Sequence, residues 1–165
     1  MNCIALFMKS PESGVAKRRL RSLLTEEEIR RLCEAFVEDL LERLSLFPCD
    51  KKVIAYAGSV PALIHHEGVS SLVPYAQSGE DLGERLLNYF QWSFSEGATK
   101  SVVIGSDSPT LPFRYLEEAF CLLDRYDTVV GPSEDGATIS SGCGVSIRRF
   151  FKRSLGGPIG SLRRH

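Results

Sequence analysis

No apolar run in this sequence is long enough to cross a bilayer. The two longest, residues 3–8 (CIALFM) and 102–104, fall far short of the about 20 residues a membrane helix needs. The N-terminus also lacks the basic flank and small-residue cleavage site of a secretory leader. Cysteine offers no framework: the five, at positions 3, 33, 49, 121 and 143, are an odd number without a C-x-x-C pair. They read as free thiols in a reducing, cytoplasmic setting, with neither a disulfide scaffold nor a zinc site. A G-x-S-x-G elbow is missing, which removes support for Ser/His/Asp nucleophilic catalysis. The G-x-x-x-x-G-K-[ST] spacing of a Walker A loop is missing too. Acidic residues are absent from Gly136 onward, whereas the chain up to Asp135 holds 21 acids against 14 bases. The tail thus carries six bases and no acid, a switch that often marks contact with nucleic acid or an acidic surface.

What is present is a globular composition, 43% apolar and 25% charged, over a length of 165 residues that suits one domain or most of a larger one. Residues 3–8 suit a strand covered on both faces. Thr25 and Glu28 form a capping box ahead of Ile29, Leu32, Phe36, Val37, Leu40, Leu41 and Leu44, which recur at helical spacing until Phe47-Pro48. Strands are predicted at 52–57, 71–75, 101–105 and from 128, and helices at 60–66, 81–95 and 112–126. Alternating strands and helices predict an α/β fold, a mostly parallel sheet with helices on both faces. Ligands of such sheets bind beyond the carboxyl ends of the strands.

Three polar clusters follow predicted strands. The first, Lys9-x-Pro11-x-x-Gly14-x-x-Lys17-x-Arg19, can wrap a phosphate with cations and backbone N–H groups, or be a solvated turn before a helix. The second is Gln77-x-Gly79-x-Asp81-Leu82-Gly83-Glu84-Arg85. Here Asp81 reads as a helix N-cap, yet Gly83 in a first turn suits something approaching the backbone. The third, Gly105-Ser106-Asp107-Ser108-Pro109, puts a carboxylate where a divalent cation bridging a diphosphate can sit, with Asp135 as a second carboxylate. Two turn aspartates are the other reading. His65 and His66 are adjacent, so they point different ways and make a poor metal pair; Trp92 suits packing on a helix flank.

In this order the clusters resemble the DUF2064 family of bacterial glycosyltransferase-like proteins, which have the GT-A (nucleotide-diphospho-sugar transferase) fold. The family opening K-x-P-x-x-G-x-x-K-T-R-L is met at Lys9, Pro11, Gly14, Lys17, Arg19 and Leu20, with Arg18 in place of Thr. Q-x-G-x-D-L-G-E-R is met from Gln77 to Arg85, and G-S-D-C-P-x-L from Gly105 to Leu111 with Ser108 in place of Cys. The resemblance covers residues 1–136. It implies a Rossmann-like fold with a nucleotide or nucleotide-sugar pocket at Lys9, Gly14, Lys17, Arg19, Gln77, Asp81 and Arg85. It also implies Mg²⁺ or Mn²⁺ near Asp107 and Asp135, Asp135 doubling as a catalytic group.

The family motif G-P-x-x-D-G-G-Y-Y-L-I-G-L is followed from Gly131 to Gly136 and then breaks. Codons allowed for residues 136–144 include GGG GCT ACT ATC TCA TCG GGC TGC GG, and one added G turns them into Gly-Gly-Tyr-Tyr-Leu-Ile-Gly-Leu-Arg. At the same offset, codons compatible with residues 151–162 read Gln-Glu-Val-(Ser or Pro)-Trp-Gly-Thr-Asp-Arg-Val-Leu, similar to the family's later W-S-T-x-x-V-L segment. The expectation is a transferase domain over 1–136 and a frameshifted basic tail over 137–165, with a core strand missing, weak folding and little or no catalysis. Glycosyl transfer from a nucleotide-activated sugar with a divalent cation is the first functional reading. Nucleotidyl transfer to a phosphorylated small molecule is the second. A non-catalytic truncated module with a basic tail is the third. The tail has no aromatic interleaving beyond Phe150-Phe151, which disfavours nucleic acid.

Overall fold

The computed structural model describes residues 1–9, 22–59, 71–107 and 109–131, and the backbone of 145–148. Its elements are β1 (Asn2–Lys9), α1 (Glu26–Leu46), β2 (Lys51–Ala57), β3 (Leu72–Ala76), α2 (Leu82–Ser95), β4 (Lys100–Gly105), α3 (Phe113–Leu122), β5 (Thr128–Val130) and β6 (Val145–Arg148). The sheet order is β3-β2-β1-β4-β6-β5. Strands β1 to β4 pair in parallel, and β6 runs antiparallel to both β4 and β5.

Six successive residues of β1, Cys3 to Met8, are buried, because the strand is central and covered on both faces. Alternate residues sort to opposite faces. Ile4, Leu6 and Met8 pack with Val37, Leu40, Leu41 and Leu44 of α1 and with Leu116 and Phe120 of α3. Cys3, Ala5 and Phe7 pack with Leu86, Tyr89 and Phe90 of α2. The crossovers β1–α1–β2 and β3–α2–β4 travel in opposite directions across the sheet, so with one handedness their helices fall on opposite faces. Helix α1 starts at the predicted box: Thr25 Oγ1 accepts from the Glu28 amide at 3.3 Å, and Glu28 Oε2 accepts from the Thr25 amide at 2.8 Å. Trp92 lies half-buried on the flank of α2 against Tyr75, ring centroids 4.7 Å apart.

Two expectations need correction. The helix predicted over 112–126 stops at Leu122. Leu123 is its last buried apolar residue, and the exposed residues 124–126 fold into a turn closed by the Tyr126 amide on Leu122 O at 2.8 Å. Lys100 Nζ meets this end, donating to Phe120 O at 3.0 Å and pairing with Asp124 at 2.6 Å. The sheet also has the strand expected to be missing. Residues Val145–Arg148 fill the place between β4 and β5, with Val145 opposite both Val103 and Val130. Ladder hydrogen bonds are made by the backbone, so a short strand-forming segment such as Val-Ser-Ile-Arg can take that place without the family motif. The helix predicted at 60–66, with His65 and His66, lies outside the described residues.

Candidate functional site

The order β3-β2-β1-β4 creates a crevice. From β1 the chain leaves toward β2, and from β4 it leaves on the other side toward β5, so the strand order reverses between β1 and β4. Open α/β sheets bind ligands at such a point, beyond the carboxyl ends of the strands. Phe7 of β1 pairs with Gly105 of β4, and the Ser106 amide donates to Phe7 O at 3.1 Å. Lys9, the last residue of β1, and Asp107, in the turn after β4, each stand two residues beyond that pair along the chain. Both side chains are exposed. Lys9 and Asp107 thus both follow the carboxyl ends of neighbouring strands. Gly14, Lys17, Arg19 and Asp135 lie outside the described residues.

The second cluster begins at the carboxyl ends of β1 and β2. The Gln77 amide N–H donates to Tyr56 O at 2.8 Å, and its side-chain Nε2 donates to Ala55 O at 2.7 Å and to Met8 O at 3.3 Å. Gln77 thereby straps the ends of β1 and β2 together. Asp81 caps α2, its Oδ1 accepting from the Glu84 amide at 2.8 Å. Glu84 Oε2 accepts from the Glu80 amide at 2.9 Å, Arg85 Nε donates to Gly79 O at 3.0 Å, and Asn88 Nδ2 donates to Ser78 O at 2.8 Å. Three side chains of α2 thus hold the segment that leads into it. That segment aims the positive end of the helix dipole at the carboxyl edge of the sheet. Gln77, Asp81 and Arg85 all have architectural bonds here, so their place at the crevice is fixed before any ligand arrives.

Sequence reasoning passed over Arg43. Its Nη1 donates to Pro109 O at 3.1 Å and its Nη2 to Leu111 O at 2.7 Å, in the loop that carries Asp107. The signal was available: Phe36, Leu40, Arg43 and Phe47 follow one helical stripe, and a cation in an apolar stripe asks for a polar partner.

Cysteine chemistry has no footing among the buried thiols. Burial pushes the Cys3 thiol up and the Cys49 thiol up to about 11, so both stay protonated at neutral pH. Tyr89, 3.3 Å from Cys3 Sγ, is raised well above its ordinary value by the same burial. Among the described residues, cysteines 3, 33, 49 and 121 form no disulfide with one another. Among the described residues no three His, Cys, Asp or Glu side chains gather into a metal cage. An ion such as Mg²⁺ does not need such a cage, because it keeps several waters and takes other ligands from substrate oxygens.

A bacterial protein family, described as uncharacterized and conserved in bacteria (DUF2064), matches residues 40–137. A curated relative, the 2-phospho-L-lactate guanylyltransferase of Methanobrevibacter ruminantium, is 25% identical over 132 residues, covering 74% of this chain and 56% of that protein. A solved structure of a candidate nucleotide-diphospho-sugar transferase from Desulfovibrio desulfuricans is similar at a TM-score of 0.74 and 30% identity, over 89% of this chain and 63% of that one. A cytidylyltransferase from Leptospira borgpetersenii shares the fold at a TM-score of 0.56 and 13% identity, over 88% of this chain and 60% of that one. The chain therefore spans about three fifths of the length of these relatives. Among the described residues no helix is long and apolar enough to cross a membrane.

Proposed function

The chain belongs to the DUF2064 family, and on that premise we propose that it binds a nucleotide-activated sugar and transfers from it across the ends of β1 and β4. The fold is that of nucleotidyl- and glycosyltransferases. The observation that supports the reading is the register of β1 and β4, in which Lys9 and Asp107 each follow the Phe7–Gly105 pair by two residues where the strand order reverses. Lys9, joined by Gly14, Lys17 and Arg19, contacts the donor diphosphate. The first turn of α2, fixed by Gln77, Asp81 and Arg85, lines the nucleotide side. Asp107 and Asp135 would hold Mg²⁺ or Mn²⁺, whose chemistry is to neutralise the diphosphate as the leaving group departs. Asp135 also orients the acceptor.

The match to a guanylyltransferase favours a second reading, nucleotidyl transfer. There the phosphate oxygen of an acceptor attacks the α-phosphorus of a nucleoside triphosphate and pyrophosphate leaves. A thermal-shift series with nucleoside triphosphates and nucleotide sugars, with and without Mg²⁺ or Mn²⁺, separates the two. A genuine donor at a hundredfold excess over its Kd raises Tm by about 5–10 °C. Release of nucleoside diphosphate then marks glycosyl transfer and release of pyrophosphate marks nucleotidyl transfer. If no nucleotide shifts Tm, the proposal is wrong.

We also propose that residues 137–165 are a frame-shifted product. The family match ending at residue 137, where the motif breaks, supports this. The gene's DNA around the Gly136 codon decides it: the proposal expects a G run one base short, followed by a readable family frame. An uninterrupted run with no such frame refutes it.

A further inference from the structure

We propose that Arg43 is the positioning residue for Asp107. The inference rests on the reading that Asp107 faces the ligand, and adds what holds it there. The loop from Ser106 to Pro112 is pinned at two points. Upstream, the Ser106 amide is bonded to Phe7 O at 3.1 Å, which ties the loop to the end of β1. Downstream, the two terminal nitrogens of Arg43 take the carbonyls of Pro109 and Leu111. Asp107 lies between these pins. The planar guanidinium presents several N–H groups in a fixed fork, so one side chain can grip carbonyls two residues apart and set the path of the backbone between them.

Three further features indicate that this grip does more than satisfy a stray cation. Arg43 lies on the apolar stripe of α1, where a Met or Leu would pack at no electrostatic cost. Its guanidinium sits over the Phe113 ring, 5.2 Å from the centroid, and Phe113 in turn meets Phe47 at 5.5 Å, so the rotamer is held by packing. Helix α3 begins at Pro112, which makes no side-chain cap bond. The usual device for fixing a loop-to-helix junction is absent, and Arg43 supplies the fixation from a neighbouring helix. Arg43 therefore ties α1 to the carbonyls two and four positions beyond Asp107.

The test uses the full chain, the variants R43M, R43K and D107N, and two readouts that need no turnover. One is Mn²⁺ affinity in the presence of guanosine diphosphate, from the paramagnetic signal of free Mn²⁺. The other is amide hydrogen exchange across residues 106–111 in metal-free protein. R43M keeps the apolar stem and removes every donor. It is expected to exchange at least tenfold faster at 106 and 107 and to bind Mn²⁺ about tenfold more weakly, with Tm lowered by only a few degrees; R43K recovers part of both. If D107N weakens Mn²⁺ while R43M leaves both readouts at the unsubstituted level, the positioning role is refuted. If D107N leaves Mn²⁺ binding unchanged, the cation reading of the site falls, and the exchange rates still decide the inference: faster exchange in R43M supports it and unchanged exchange overturns it. Should R43M not fold, R43K is judged on the same two measurements.

Discussion

Gly79 cannot gain a side chain without moving the first turn of α2. Its φ is +132°, and a Cβ there would lie 2.8 Å from Glu84 Cβ and 2.9 Å from the Arg85 nitrogen. Gly97 has a φ of +93° but open space around the same position. Gly79→Ala is therefore expected to cost about 3 kcal/mol, strain and collision together, and Gly97→Ala only about 1 kcal/mol for its backbone; urea denaturation of the two variants measures the difference. At the start of α1, Thr25→Ala should cost about 1 kcal/mol. The carboxylates of that turn give the helix a pH dependence with a definite sign. Hydrogen bonds from Arg30 and Arg31 hold Glu27 down at about 2, and the Thr25 amide and hydroxyl hold Glu28 below its ordinary value. Groups with depressed values stabilise above their unfolded pKa and lose that contribution as pH falls through the folded one. The loss of α1 stability should thus begin below pH 4.5 and run toward pH 2, and circular dichroism at graded pH checks it. At this scale the sequence was informative wherever a residue acts on its own neighbours, as Thr25 and Asp81 do. It did not give the bonding partners of Arg43 and Gln77, which lie 66 or more and 21 or more positions away and come near only by virtue of the fold.

The elements themselves were legible because each carries its own period. Strands β1, β2 and β4 are continuous apolar runs, and α1 and α2 show helical stripes that the packing uses. The end of α3 was misjudged because nothing in residues 123–126 breaks a helix; what ends it is the lack of apolar surface to bury after Leu123. Strand β6 was missed because its four residues carry no signal beyond alternation, and its place is decided by the two strands it joins. The contact of α2 with the sheet centres on Tyr89, fully buried, its hydroxyl 3.3 Å from Cys3 Sγ and 3.4 Å from Ser101 Oγ. Tyr89→Phe should destabilise by about 1–3 kcal/mol, because it leaves the buried Ser101 hydroxyl without that partner. A stability equal to that of the unsubstituted chain would mean the hydroxyls find other acceptors.

For the whole molecule, the alternation of strands and helices was enough to predict the parallel sheet, and the reversal in parallel strand order leaves one crevice of that kind in the described sheet. It was not enough to name a donor, since glycosyl and nucleotidyl transfer are both compatible with such an edge. A chain carrying the restored Gly-Gly-Tyr-Tyr-Leu-Ile-Gly-Leu-Arg segment should be more stable than this one. The gain is what the new apolar side chains bury, about 1.5–3 kcal/mol for each large one. Above all, the proposed function puts a nucleotide diphosphate at the carboxyl ends of β1 and β4. Mn²⁺ with guanosine diphosphate, added to isotopically labelled protein, will broaden the amide signals of residues 8, 9, 79–84 and 105–107, and Asp107→Asn will abolish the effect. Broadening centred instead on Asn2, Lys51 and Lys100 at the opposite edge of the sheet, or none anywhere, would contradict it.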